Sequence, residues 1–253
     1  MEEHRLPQWA SGLIGIGILV VVWQIVGMTM FQKTGSIPPP TKVFAALRDD
    51  PDVYWRNLSA TLGGAWQGWL WGNALAIALA FLVLVLPIVE RPVLQLGITS
   101  YCLPAVAIGP LLAIVFDGET PKVVLAGLAV FFTTLIGALL GLRSADPTML
   151  DVVHAYGGGR MHKLFKVRLR AGLPSLFAGL RIAAPAAVLG AIIGEYSGAE
   201  RGIGIGMIVS QQRGEPAITW ALALLATAAA GLAYALTALI GRIVTPWAPR
   251  VRL

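Results

Sequence analysis

Six stretches of this 253-residue chain are apolar almost throughout, and together they decide the medium it folds in. They cover 11–30, 58–86, 93–116, 123–142, 173–193 and 217–244. A hydrocarbon core of about 30 Å is crossed by roughly 20 apolar helical residues. Inside it each backbone N–H and C=O must pair within the protein, which leaves the α-helix as the form for such runs. Charged residues make up 13% of the chain and hydrophobic ones 57%, where soluble domains carry roughly 25% charge. The sequence predicts an all-α, polytopic membrane protein of six transmembrane helices, forming a single domain over 1–253.

A net charge of +6 would suit nucleic acid only if the cations shared one face. Here they follow the loops. Of 19 Lys and Arg, 11 fall in one set of loops and tails: Arg5, Arg91, Arg143, Arg160, Lys163, Lys166, Arg168, Arg170, Arg242, Arg250 and Arg252. Seven fall in the other set (Lys33, Lys42, Arg48, Arg56, Lys122, Arg201, Arg213), mixed with Asp and Glu, and Arg181 lies within a run. The positive-inside rule then puts both termini and the basic segment 143–172 in the cytoplasm. That segment also suits an anionic leaflet, so membrane lipid is an expected partner and nucleic acid is not. Glu2 and Glu3 beside Arg5, with no small-residue cleavage site after Val22, make the first run a retained span and not a secretory signal.

Catalytic and metal chemistry finds no purchase. Cys102 is the one cysteine and is expected to be a small buried hydrophobe. His4, His154 and His162 have no ligand spacing, and no run carries paired acids or a Ser/His pair. Gly157, Gly158 and Gly159 follow no strand and precede no G-K-[ST], so a phosphate cradle is not indicated.

Between the runs, local signals are specific. Pro38, Pro39 and Pro40 are followed by Thr41 as an expected N-cap and by Val43, Phe44 and Leu47 on one face of a surface helix. Gly63, Gly64, Gly68 and Gly72 in the second run offer a dimer or packing face. Pro104 and Pro110 interrupt the third run, either at a cavity or as a packing kink. In 143–172, Asp146 caps a helix starting at Pro147, with Met149, Leu150 and Val153 as its stripe and the glycines as its end. A second amphipathic helix is expected there, with Met161, Leu164, Phe165 and Leu169 opposite Arg160, Lys163, Lys166 and Arg170. The glycine-rich 194–214 is too short to span and predicts a re-entrant or interfacial helix over 203–212.

The loop 143–172 resembles the EAA loop of ABC-importer permease subunits, E-A-A-x3-G-x9-I-x-L-P. Its positions are Asp151, Val152, Val153, Gly157, Val167 and Leu169, with Asp for Glu, a Val pair for the Ala pair and Arg170 in the place of Pro. Segments at 103–112, 179–183 and 194–206 are similar to stretches of the nitrate, sulfonate and taurine permeases. The resemblance implies a coupling loop that docks on an ATPase through Asp151, Val153, Gly157, Arg160, Leu164, Phe165, Val167 and Leu169. It implies a translocation path or periplasmic gate at Pro104, Pro110, Glu195, Gly202 and Gly204. Glu195 reads equally as path lining or as a structural carboxylate paired with Arg201. Arg181 reads first as a snorkelling or span-pairing cation and second as a substrate contact.

The same resemblance implies no cofactor and no hydrolytic site in this chain, with ATP and Mg held by a partner. The implied partners are ABC ATPase subunits, a second permease copy (a homodimer by default) and a periplasmic or lipid-anchored substrate-binding protein. It places the chain in a bacterial inner membrane. A sulfonate, taurine or nitrate-like anion is the first expectation for cargo, with a pyrimidine, thiamine-precursor or riboflavin-precursor solute as the alternative. A stand-alone secondary transporter or channel is the rival from another class, although the inverted repeat common in such proteins is not visible.

Overall fold

Pro104 sets the most distinctive feature of the architecture. The computed structural model describes residues 8–31 and 35–248, without the side chains of residues 8, 9 and 160. His4, Arg5, Lys33, Arg250 and Arg252, used above, lie outside the described residues, as does the side chain of Arg160. Every regular element among them is helical: α1 (Gln8–Thr29), α2 (Pro40–Asp49), α3 (Pro51–Val85), α4 (Glu90–Cys102), α5 (Ala105–Val115), α6 (Thr120–Arg143), α7 (Pro147–Ala155), α8 (Arg160–Lys163), α9 (Leu169–Glu195), α10 (Ile203–Gln212) and α11 (Pro216–Val244). A 3-10 turn (Pro87–Val89) precedes α4, and a π-type turn (Leu164–Arg168) joins α8 to α9.

Five helices are long and apolar enough to cross a membrane, or six where the pair α4–α5, bent by 97°, counts as one broken span. The third run is therefore not one straight helix over 93–116. Pro104 lacks an N–H and forces Leu103 out of the helical region, to ψ 123°. Pro110 lies inside α5 without ending it. The second loop helix also differs from expectation. No proline stands between Arg160 and Leu173, so α8 and the π-type turn run straight into α9, giving one helical path Met161–Glu195.

The core is α3, α6 and α9, held at close range by small residues. A Cβ on Gly141 would stand 2.5 Å from the Gly172 carbonyl, and one on Gly72 2.5 Å from the Gly127 carbonyl. Gly64, Gly68 and Gly72 thus pack against α6 inside the protomer, which removes them from any dimer face. Lys122, Ala126, Gly137 and Gly141 lie against Gly194, Gly190, Gly179 and Gly172 in turn, so α6 and α9 run antiparallel, side by side. Val130, Ala187 and Ala191 belong to one buried cluster of this core and Leu135 to a second. Within the core Thr134 donates to Asn73 Oδ1 at 2.5 Å, a bond of roughly 1 kcal/mol between spans.

The proline segment is pinned where α1 meets α11. Trp23 Nε1 donates to Pro38 O at 3.1 Å and Trp220 Nε1 to Ser36 O at 3.2 Å, with the two indoles 5.4 Å apart. Thr41 is not the N-cap of α2. Pro39 occupies that position, and the Thr41 hydroxyl accepts from Gln24 Nε2 at 3.3 Å. Val43 is buried and Phe44 points outward.

Candidate functional site

At the Arg143 end of the bundle, α7 stands as a short, well-terminated helix. Asp146 Oδ1 accepts the Thr148 N–H at 2.8 Å, and Pro147 takes the first helical position, where no donor is needed. The helix closes with a Schellman motif: Gly158 N–H donates to Val153 O at 2.8 Å and Gly157 N–H to His154 O at 2.9 Å. Gly157 takes φ +75°, a conformation only glycine adopts freely. Gly158 has no room for a Cβ against Val153, whereas Gly159 faces open space.

The residues expected to dock divide into two groups. Asp151 and Phe165 face outward. Leu164 and Val167 are buried, Val153 and Leu169 are half-buried, and Leu169 packs on the core cluster of α3, α4 and α6. For Leu164, Val167 and Leu169 the physical reason is the continuity of α8 with α9, which turns them into the first turns of a packed span. The outward surface is instead an apolar ridge of Met149, Val152, Tyr156, Met161 and Phe165, with Tyr156 89% exposed. The 149/152/156 spacing is helical, yet the sequence pointed to Met149, Leu150 and Val153 because it does not reveal which face meets the protein. Beside the ridge, Arg143 and Glu90 pair at 2.5 Å at the rim of a cavity of about 500 Å³.

At the Lys122 end, a buried polar node gathers four elements. Glu195, fully buried, accepts the Thr61 hydroxyl at 2.8 Å on Oε1 and the Gly204 N–H at 2.8 Å on Oε2. Ile203 N–H donates to Thr61 Oγ1 at 2.8 Å, and Gly202 N–H to Asn57 Oδ1 at 3.1 Å. The first N–H groups of α10, which no helix can satisfy internally, are thus met by side chains of α3 and α9. The negative carboxylate also suits the positive end of α10. Lys122, 3% exposed, lies 3.9 Å from Glu195 Oε1, donates to Ala60 O at 3.1 Å and pairs with Glu119. The cation beside Glu195 is therefore Lys122 and not Arg201. Gly202, at φ +143°, presses on the carboxylate so closely that a Cβ has no space.

Of the expected gate residues, Glu195, Gly202 and Gly204 meet here, whereas Pro104 and Pro110 are exposed on the α4–α5 bend. From that bend Gly109 reaches this end, against Ser197. The sequence reading missed Asn57, Thr61 and Lys122; polar residues four apart on an apolar helix were the available signal. Cys102, expected inside, is exposed. Alongside α10 opens a cavity of about 450 Å³ lined by Asp49, Asp50, Tyr54, Glu200, Ile205 and Glu215, among others. Arg181 lies elsewhere, between the two ends, with its guanidinium 5.4 Å from the centre of the Tyr234 ring on α11.

Residues 72–250 match the family described as "Binding-protein-dependent transport system inner membrane component". A probable ABC transporter permease protein of Haemophilus influenzae is 30% identical over 202 residues, covering 79% of this chain and 82% of that protein. The riboflavin transport system permease protein RibX of Chloroflexus aurantiacus is 30% identical over 251 residues, covering 95% and 91%. The taurine transport system permease protein TauC of Escherichia coli is 28% identical over 264 residues, covering 97% and 93%. Among solved structures, the MetNI methionine ABC transporter in an inward-facing conformation matches with a TM-score of 0.59 at 17% identity, covering 76% of this chain and 94% of that one. That likeness shows a shared fold.

Proposed function

This chain belongs to the family of binding-protein-dependent transport system inner-membrane components, the permease subunits of ABC importers, and from that premise we propose how it is coupled and what it carries. It is a multi-pass inner-membrane transport subunit. The ridge Met149, Val152, Tyr156, Met161 and Phe165 carries the coupling reading, because apolar side chains on a rigid, glycine-closed helix are what a groove on a partner recognises. The partner is an ABC ATPase subunit, which holds the ATP and Mg. The ridge end, rich in Lys and Arg, faces the cytoplasm together with both termini.

Motion passes along one element. Met161–Glu195 is a 35-residue helical path, about 52 Å long at 1.5 Å per residue. Its first turns adjoin the ridge, and its last residue holds the N-terminus of α10. Closure of the ATPases displaces α7, the displacement tilts α9, and α10 follows as the external gate. Glu195, Gly202 and Gly204 act here as the anchor of the gate, with no direct contact to cargo. A binding protein delivers the solute to that face, and a second copy of this chain completes the path.

The cargo reading is a small anion, sulfonate, taurine or nitrate-like. Relatives of similar distance are named for riboflavin and for taurine, so overall similarity does not choose between them. The test reconstitutes the full chain with the ATPase and binding protein encoded beside it. ATP-dependent uptake of taurine or an alkanesulfonate supports the reading. Uptake of riboflavin alone overturns the cargo, and uptake without the ATPase, driven by an ion gradient, overturns the importer assignment.

A further inference from the structure

Arg181 is a charge placed where a membrane protein tolerates it poorly without a reason. Gly179 packs against Thr133 and Gly137, halfway along α6 between Lys122 and Arg143. Arg181 therefore sits at mid-depth in the bundle. Its Cα is 12 residues beyond Leu169, the start of α9, about 18 Å of helix, which is too far for the side chain to reach the headgroups. Its Nε is buried with no hydrogen-bond partner, and no ion pair with a carboxylate forms among the described residues. Its contact is the face of Tyr234, itself 43% exposed.

The neighbouring surface explains the placement. Thr227, Gly231 and Tyr234 follow one another at four and three residues, so they share one face of α11, and all three are exposed. That face carries small and hydroxyl-bearing residues next to an unneutralised guanidinium. Lipid tails would leave the charge without solvation, and a dry protein interface would require a counter-charge beside Arg181, which no described carboxylate supplies. Water solves both problems.

We propose that Arg181, backed by Tyr234, lines a water-filled path along α9 and α11 and selects a small oxyanion, a sulfonate or carboxylate, through its fork of N–H donors. This deepens the importer reading and rests on it for the identity of the path. The anion is attracted by the field of Arg181 and is not held by a paired charge, so it can leave again.

The experiment needs no knowledge of the natural cargo. In a Cys102→Ser background, Gly231→Cys places a thiol in open space one turn from Tyr234. The whole transporter, with its ATPase, is exposed in vesicles to a sulfonatoethyl and a trimethylammonioethyl methanethiosulfonate. The anion-to-cation rate ratio, referenced to a free thiol in solution, is expected to rise about tenfold. Arg181→Gln should return it to the solution value, and Arg181→Lys should keep most of it. A ratio equal to that of the free thiol in the Arg181 protein, or no reaction with either reagent, overturns the proposal. These readings stand even where Arg181→Gln assembles poorly, because they use the native arginine. ATP hydrolysis by the same preparation reports separately on the importer assignment: its loss with the ratio intact would fault that assignment and leave the anion path standing.

Discussion

The carboxylate of Glu195 accepts the N–H of Gly204 at 2.8 Å, so the last residue of one spanning helix caps the short helix that follows it. The same carboxylate takes the Thr61 hydroxyl, and Thr61 takes the Ile203 N–H, which ties α10 to two spans at once.

Glu195→Ala leaves the Gly204 N–H and part of the Lys122 charge unmet in a buried site, and leaves the Thr61 hydroxyl the Asn57 carbonyl at 3.1 Å. Each unmet group costs about 1–3 kcal/mol. The soluble, monodisperse fraction after heating in detergent should fall in the order native, Glu195→Gln, Glu195→Ala. Equal survival of the native protein and Glu195→Ala would remove the anchoring role.

Gly157 and Gly158 fail for different reasons when substituted. At φ +75° a β-branched residue costs roughly 1–2 kcal/mol, so Gly157→Val should disturb the end of α7 and Gly157→Asn much less. Gly158→Ala is obstructed by the Val153 side chain. None of the three touches the buried core, so membrane levels should match the native protein while substrate-stimulated ATP hydrolysis drops. Asp151→Lys, exposed on the same helix, should act likewise. Full coupling in Gly157→Val would contradict the role given to the Schellman closure.

The gate predicts an asymmetry between neighbours. Ile203 is fully buried, whereas Ile205 lines the cavity beside Glu215. With Cys102 replaced by Ser, since it is exposed, the thiol of Ile205→Cys should react with a membrane-impermeant reagent in the resting transporter. That of Ile203→Cys should react only when trapped nucleotide moves α10. Equal rates at both positions in both states would mark α10 as a static surface element.

Much of this was legible in the chain. The apolar runs located the spans because the bilayer demands length and apolarity, which are local properties. Asp146, Pro147 and Gly157 located both ends of α7 because caps are chemistry of one residue and its near neighbours. What escaped was set by partners distant in sequence. Phe165 and Leu164 are equally apolar, yet one faces out and the other in, and the packing of the π-type turn against α6 decides which. Thr61 and Glu195 are 134 residues apart, so the node had no local signature, and Lys122 looked like an ordinary turn residue. Pro104 announced a break, but neither its 97° angle nor the approach of Gly109 to Ser197 has a local signature.

In the proposed coupling, α7 and the start of α8 form the surface on which the ATPase works. The most direct measurement is the amount of partner ATPase that copurifies with Val152→Glu and Tyr156→Ala, normalised to permease in the membrane. Both residues are exposed, so folding should be spared. Losing an anchor of about 2 kcal/mol corresponds to roughly thirtyfold in affinity. Retained ATPase should fall by at least tenfold in Val152→Glu, with permease levels unchanged. Native amounts of ATPase on both variants, with native hydrolysis and transport, would contradict it.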